Sequence, residues 1–360
     1  MNCKVYITDE GFGPIVRQNA ILLELLRRDS SLKVTLQLEK HLEQAKAIMP
    51  NFEFRKKYNN ITWHKTADGF PDVKAIEKEY QNYIQVSDNY INEEKSSFNY
   101  DFIISDFVYE AFELAALNKV PSFGVAHFTW DWFFSKLYPP PVKSEVLGRF
   151  FDFASKAEVI YFPPFTPQEI LRHYSRKAKN VPLIVGDHIP KQNVKKQGKV
   201  NVLIMDSGSG VLHQQIKKAL EQLHKLKDFH FFISDQFQIS GENITAINKD
   251  EFFIDYISQM DLVVGRAGFN TISECIALRT PMLLLSEAMN PEMNENIINI
   301  KHEGLGSFIS LEQFAGNLIN YLPAFMDTEY KNISKSLKSH SYACNGAEVI
   351  AEDILNHLRK

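Results

Sequence analysis

Cysteine is scarce in this chain: three residues in 360, Cys3, Cys275 and Cys344, far apart. Three thiols cannot all pair, and none stands at metal-ligand spacing. Neither a disulfide scaffold nor a zinc site is indicated, and a reducing, cytoplasmic setting is expected. Long apolar runs are missing too. None approaches the roughly 18 residues of a membrane-crossing helix. Met1-Asn2-Cys3 leads directly into a short apolar run, which leaves no room for a secretion signal. Positive charge is not in excess, with 40 Lys and Arg against 44 Asp and Glu and a net charge of −4. That balance argues against a nucleic-acid partner, which selects for basic surfaces.

What is present is a dense alternation of short apolar runs and helical periodicity. Hydrophobic residues make up 44% of the chain, and its length is the natural size of two domains. Strand candidates in the first half are 4–8, 33–38, 62–65, 102–105, 122–126, 159–162 and 183–185. Those in the second half are 200–205, 230–234, 244–247, 262–264, 282–285 and 307–309. Helical spacing fills the intervals, for example at 15–28, 211–226 and 311–325. Short, continuous apolar strands separated by helices are the pattern of parallel sheets covered on both faces, so the fold class is α/β with two doubly wound, Rossmann-like domains. The polar stretch 186–198 reads as the linker between two halves that each open with a strand and a glycine turn.

The most informative segment is Arg266-Ala267-Gly268-Phe269-Asn270-Thr271-Ile272-Ser273-Glu274, which follows the apolar run at 262–264. A strand feeding a helix start aims free backbone N–H groups and the positive helix pole at one spot, which suits an anion. Gly268 permits close backbone approach, Arg266 supplies a cation suited to phosphate, and Glu274 stands one turn on, where a carboxylate can take the two hydroxyls of a ribose. A plainer reading uses the same spacing: Thr271 caps the helix and Glu274 returns the bond, as in a capping box.

This run resembles the C-terminal signature of GT-B glycosyltransferases, especially the bacterial N-acetylglucosaminyltransferases that make lipid II. That family shows R-A-G-x-x-T-x-x-E, then a G-x-P-x-x-L strand, then an E-Q-x-x-N-A helix. Here Leu278-Arg279-Thr280-Pro281-Met282-Leu283 follows, and then Glu292-Met293-Asn294-Glu295-Asn296. Glu292 and Asn296 match, and Met293 stands where the family has a sugar-contacting glutamine. The resemblance implies two domains facing across a cleft: residues 1–190 on the acceptor side, 199–342 binding the nucleotide sugar, and 343–360 with a terminal helix, 346–358, that crosses back to the first domain.

Two glycine turns fit the same resemblance. In Thr8-Asp9-Glu10-Gly11-Phe12-Gly13-Pro14-Ile15-Val16-Arg17, the positions of Gly11, Gly13 and Arg17 match a G-x-G-H-x-x-R turn that lines the cleft on the acceptor side. Pro14 replaces the histidine that serves as a base in some members, and suits the first helical position. Val16 replaces the third glycine of a dinucleotide fingerprint, which this turn therefore is not. The second turn, Ser207-Gly208-Ser209-Gly210, offers backbone and hydroxyl donors to a diphosphate. A plain strand-to-helix turn is the alternative for the first.

A general base is sought at strand ends of the first half. His127 and Asp131 lie in His127-Phe128-Thr129-Trp130-Asp131-Trp132, which resembles a segment of the glycosyltransferase-like part of plant L-arabinokinases. Asp106 follows the run 102–105, and Asp9 or Glu10 are weaker candidates. Against these stand structural readings: the aromatics as core, Asp131 or Asp106 as helix caps. Lys56 and Lys57, with Phe52 and Phe54, either touch a membrane-borne acceptor or form a solvated face. The expected activity is glycosyl transfer from a nucleotide-diphosphate sugar, expected to be UDP-linked, to a sugar, lipid-linked or small-molecule acceptor. No cofactor is called for, and no D-x-D motif of a metal-dependent GT-A enzyme occurs. A nucleotide-sugar hydrolase or epimerase of the same fold, or a non-catalytic nucleotide-sugar binder, is the alternative.

Overall fold

The computed structural model describes residues 1–8, 10–55, 64–66, 71–186, 194–205, 213–248, 254–287 and 289–359, apart from the side chains of 213–216. The described residues up to 186, together with 345–359, form one compact unit, and those from 194 to 344 form a second.

The first unit contains β1 (Asn2–Ile7), β2 (Lys33–Gln37), β3 (Glu53–Arg55), β4 (Phe102–Asp106), β5 (Ser122–Val125), β6 (Val159–Phe162) and β7 (Ala178–Asn180). They form one parallel sheet in the order β3-β2-β1-β4-β5-β6-β7. The second unit contains β8 (Val200–Met205), β9 (Phe229–Ser234), β10 (Ile244–Ile247), β11 (Leu262–Arg266), β12 (Met282–Ser286) and β13 (Ser307–Ser310). These also run parallel, in the order β10-β9-β8-β11-β12-β13. Strand order reverses between β1 and β4 and between β8 and β11. In doubly wound sheets that switch point, at the strand C-termini, is where ligands bind.

Side-chain alternation explains why both faces of the first sheet are covered. Cys3, Val5 and Ile7 of β1 and Phe102 and Ile104 of β4 point into one core, while Tyr6 and Ile103 point into the other. The second of these cores is aromatic, with Tyr80, Tyr109, Phe112, Phe133, Phe134 and Phe150 among its members. Trp130 and Trp132 are buried in it as well, which favours the structural reading of the aromatic segment. Among the described residues, no helix is long and apolar enough to cross a membrane.

Apart from the two edges of the first sheet, the strands lie where the apolar runs put them. The expected strand 183–185 is absent: the sheet ends instead on Ala178–Asn180, and Ile184 makes only an isolated bridge with Asn345. β3 was likewise unforeseen. Both are three-residue edge strands with exposed side chains, so they carry no apolar run to read. Of the expected strand 62–65, Lys65 makes an isolated bridge to Pro71, and Thr62 and Trp63 lie outside the described residues, as do Lys56 and Lys57. The expected helix 211–226 is a helix His213–Leu220 followed by a short 3-10 turn, Leu223–Lys225.

The final helix, Gly346–Leu358, packs on the first unit. Ile350, Ala351, Ile354 and Leu355 complete the core that holds Cys3, Val5 and Ile7, and Asp353 accepts a hydrogen bond from the Tyr161 hydroxyl at 2.8 Å. Gly346 makes the junction: its N–H donates to the Leu183 carbonyl at 2.9 Å, and a Cβ there would sit 2.3 Å from the Pro182 carbonyl oxygen. Gly346→Ala is therefore expected to lower unfolding stability by roughly 1–3 kcal/mol, the usual effect of overpacking, as read by urea denaturation of the full chain.

Candidate functional site

In the second unit the site begins where β8 and β11 run side by side. A Cβ on Gly265 would lie 3.1 Å from the Met205 carbonyl oxygen, so only glycine lets the two strands approach as they do. After β11 the chain turns through Ala267 and Gly268 into the helix Phe269–Ala277, with Gly268 as N-cap and no side-chain cap bond. Among the described residues, a Cβ on Gly268 would meet nothing within 4 Å. Thr271 is the third residue inside this helix and is buried, so the capping box anticipated as an alternative for Thr271 and Glu274 does not form.

That leaves Glu274 without its proposed capping partner. It is half-buried, and its carboxyl makes no hydrogen bond to any described residue. Desolvation, and then the charge of Asp255 on the nearby helix Ile254–Ile257, push its carboxyl up to about 8. Asn270, beside the open start of the helix, is also half-buried.

Arg266 is not the uncommitted cation expected from the motif. It is buried, and its Nε and Nη2 both donate to the Glu287 carboxylate, the Nη2 bond at 2.8 Å. Its charge is compensated within the protein. Glu287, directly after β12, was missed because an isolated glutamate beyond a strand carries no motif. Asn296 donates from Nδ2 to the Ala267 carbonyl at 2.8 Å, which pins the turn that leads to Gly268. Its helix, Pro291–His302, is capped by Asn290, whose side chain accepts from the Met293 N–H. Glu292 lies in the first turn of that helix, half-buried, and Met293 is buried. Ser207, Gly208, Ser209 and Gly210 lie outside the described residues.

In the first unit, Gly11 has φ +108°, a conformation glycine adopts without strain. Gly13 opens the helix Gly13–Arg28, with Pro14 in its first turn. Arg17 and Asp106, expected separately as a cleft residue and a base, are bonded to one another. Arg17 donates through Nε at 3.0 Å and Nη2 at 2.8 and 2.9 Å, and Gln18 adds a bond at 3.1 Å. Both residues are buried. A carboxylate holding these donors has little left with which to take a proton from a substrate. Nor does Asp106 cap the next helix: Val108 is the N-cap of Tyr109–Asn118, and Ser105 holds the Val108 N–H at 2.9 Å. Asp9 lies outside the described residues, and Glu10 pairs with Lys40.

His127 is buried just beyond β5, with its ring edge-on to Phe128. Asp131, also buried, is the second residue of the helix Trp130–Ser135, whose N-cap is Thr129. Its Oδ1 accepts from the Tyr109 hydroxyl at 2.7 Å and the Tyr174 hydroxyl at 3.1 Å. Burial, and after it the negative charge of Asp131, push both phenols well above their ordinary range. The structure thus brings together Arg17 with Asp106, and Arg266 with the turn at Gly268. Breaking either buried pair strands a charge, so Asp106→Ala and Glu287→Ala are each expected to cost about 3–5 kcal/mol in denaturant unfolding.

Residues 187–354 match the Glycosyltransferase family 28 C-terminal domain. Over 180 residues the chain is 26% identical to a UDP-N-acetylglucosamine--N-acetylmuramyl-(pentapeptide) pyrophosphoryl-undecaprenol N-acetylglucosamine transferase of Thermosipho africanus, covering 47% of this chain and 50% of that protein. It is 24% identical over 228 residues to an uncharacterized glycosyltransferase of Methanosarcina acetivorans, covering 58% and 59%. The chain therefore spans little more than half the length of these relatives. Among solved structures, the spinosyn rhamnosyltransferase SpnG complexed with thymidine diphosphate superposes with a TM-score of 0.67 at 13% identity, covering 99% of this chain and 100% of that one. MurG of Acinetobacter baumannii gives 0.61 at 14% identity, covering 99% of both chains. The chain has the two-domain fold of the GT-B glycosyltransferases, and its residues 187–354 match the glycosyltransferase family 28 C-terminal domain.

Proposed function

We propose that the protein is a glycosyltransferase that takes a sugar from a nucleoside-diphosphate sugar and passes it to an acceptor hydroxyl, with inversion. The observation that carries this reading is Glu274: a half-buried carboxyl with no hydrogen bond to a described residue, one turn beyond a helix start that no described side chain caps. The helix start suits the diphosphate, and the carboxylate suits the ribose diol. Developing charge on the leaving diphosphate is met by backbone N–H groups of the Gly268 turn, and turnover is expected to survive EDTA. A similar transferase uses UDP-N-acetylglucosamine and a similar structure is complexed with thymidine diphosphate, so UDP is the nucleotide to try first and dTDP, which lacks the ribose diol, the contrast. Sugar, lipid-linked and small-molecule hydroxyls are the acceptor classes to screen. Arg266 acts here by holding the turn against Glu287, and Asn296 by holding Ala267.

The ribose hydroxyls donate to the ionised carboxylate, and desolvation keeps Glu274 protonated up to about 8 in the free protein. UDP affinity is therefore expected to rise with pH and to level off above about 8, as followed by calorimetry. Glu274→Gln is expected to flatten that profile and to weaken UDP at high pH by about tenfold or more, equivalent to about 1.4 kcal/mol. An unchanged dissociation constant in the variant would remove Glu274 from the site. Sugar released only to water, in the presence of every acceptor class, would point to a hydrolase of the same fold instead.

A further inference from the structure

The best-placed imidazole of the first unit is one that no motif marked. Asp131 spends Oδ1 on two tyrosine hydroxyls, and its Oδ2 faces Nε2 of His173 at 3.8 Å. The two partners differ in access: the Asp131 side chain is 10% exposed and that of His173 49%. His173 ends the helix Gln168–His173, and its ring is held by Phe151, with centroids 4.1 Å apart, and by Tyr174 at 5.0 Å. Tyr109 and Asp131 lie just beyond the C-terminal ends of β4 and β5, where a doubly wound sheet binds its ligand.

We propose that His173 is the base that deprotonates the acceptor hydroxyl and that Asp131, held by Tyr109 and Tyr174, is the residue that positions it; this rests on the glycosyl-transfer reading above. The arrangement follows the logic of a carboxylate–imidazole pair. A buried carboxylate fixes one ring nitrogen and favours the imidazolium, while the other nitrogen meets the substrate. At 3.8 Å the pair is at ion-pair distance and longer than a hydrogen bond, as is common for catalytic contacts before substrate binds. His173 Nδ1 makes no hydrogen bond to a described residue. In the step, Nδ1 takes the acceptor O–H proton as the acceptor oxygen bonds to the anomeric carbon. The bond from that carbon to the diphosphate oxygen breaks, and its electron pair leaves with the nucleoside diphosphate. The imidazolium then passes its proton to water.

The Asp106 carboxylate is occupied by Arg17 and His127 is buried, whereas the His173 ring is half-exposed and lies against a buried carboxylate. The test uses the full-length chain, with UDP release from UDP-N-acetylglucosamine as the rate and UDP binding by calorimetry as control. His173→Ala is expected to slow release by about a hundredfold or more with UDP affinity unchanged, and added imidazole should restore part of the rate. Asp131→Asn should slow release less. Asp131→Glu, which keeps the carboxylate, should recover part of the rate lost in Asp131→Asn. A normal rate in His173→Ala, or a rescuable loss in His127→Ala instead, overturns the proposal. A wild-type chain that binds neither UDP nor dTDP would sink the glycosyl-transfer reading itself, whereas UDP binding with a normal rate in His173→Ala sinks only the pair.

Discussion

A buried arginine–carboxylate pair sits at the C-terminal end of each sheet, and the turns that could face a ligand hang on it. Arg17 reaches across to Asp106 at the end of β4, and Arg266 reaches from the end of β11 to Glu287 beyond β12. Both arginines use the same side-on edge, Nε with Nη2. Burying such pairs costs desolvation that their attraction barely recovers, so their main consequence is geometric. Each ties neighbouring segments together at the switch point of its sheet. In the first unit the helix that follows the Gly11 turn is fastened to β4, and in the second the start of the Gly268 turn is fastened to the segment after β12.

This division of labour changes which residues are left for chemistry. Charged groups that look free in the chain are spent internally: Arg266, Asp106 and half of Asp131 serve protein partners. What remains open is backbone at the start of the Phe269–Ala277 helix, a half-buried Glu274, and a half-exposed His173. Backbone donors suit an anion of any identity, whereas a carboxylate one turn away suits a diol. In the proposed reading, the combination favours a nucleotide over a bare phosphate. Asn296 contributes from a distance, by fixing the Ala267 carbonyl and so the entry angle of the helix.

The central strands were legible because they are short apolar runs buried on both faces, such as Val202-Leu203-Ile204 and Leu283-Leu284-Leu285. Ala178–Asn180 and Glu53–Arg55 were not, since their backbone pairing comes from the neighbour they border and two of the three side chains in each face water. The turn at Gly268 was legible as a strand-glycine-helix sequence. The capping role open to Thr271 was not decidable from spacing, because a one-turn offset between threonine and glutamate fits both a helix start and a helix interior.

Local order along the chain was sufficient for the α/β class, for the division into two halves near the polar stretch after Val185, and for a strand-glycine-helix turn at 262–274, because periodicity and glycine placement are properties of neighbours in sequence. Pairing of charges was left to the tertiary structure. Arg17 meets Asp106 across 89 positions, Arg266 meets Glu287 across 21, and Asp131 meets Tyr174 and His173 across about forty. Contacts of that span depend on which strands the sheet sets side by side. A charged residue's role therefore stays open until the sheet order decides whether its partner lies in the protein or in a ligand.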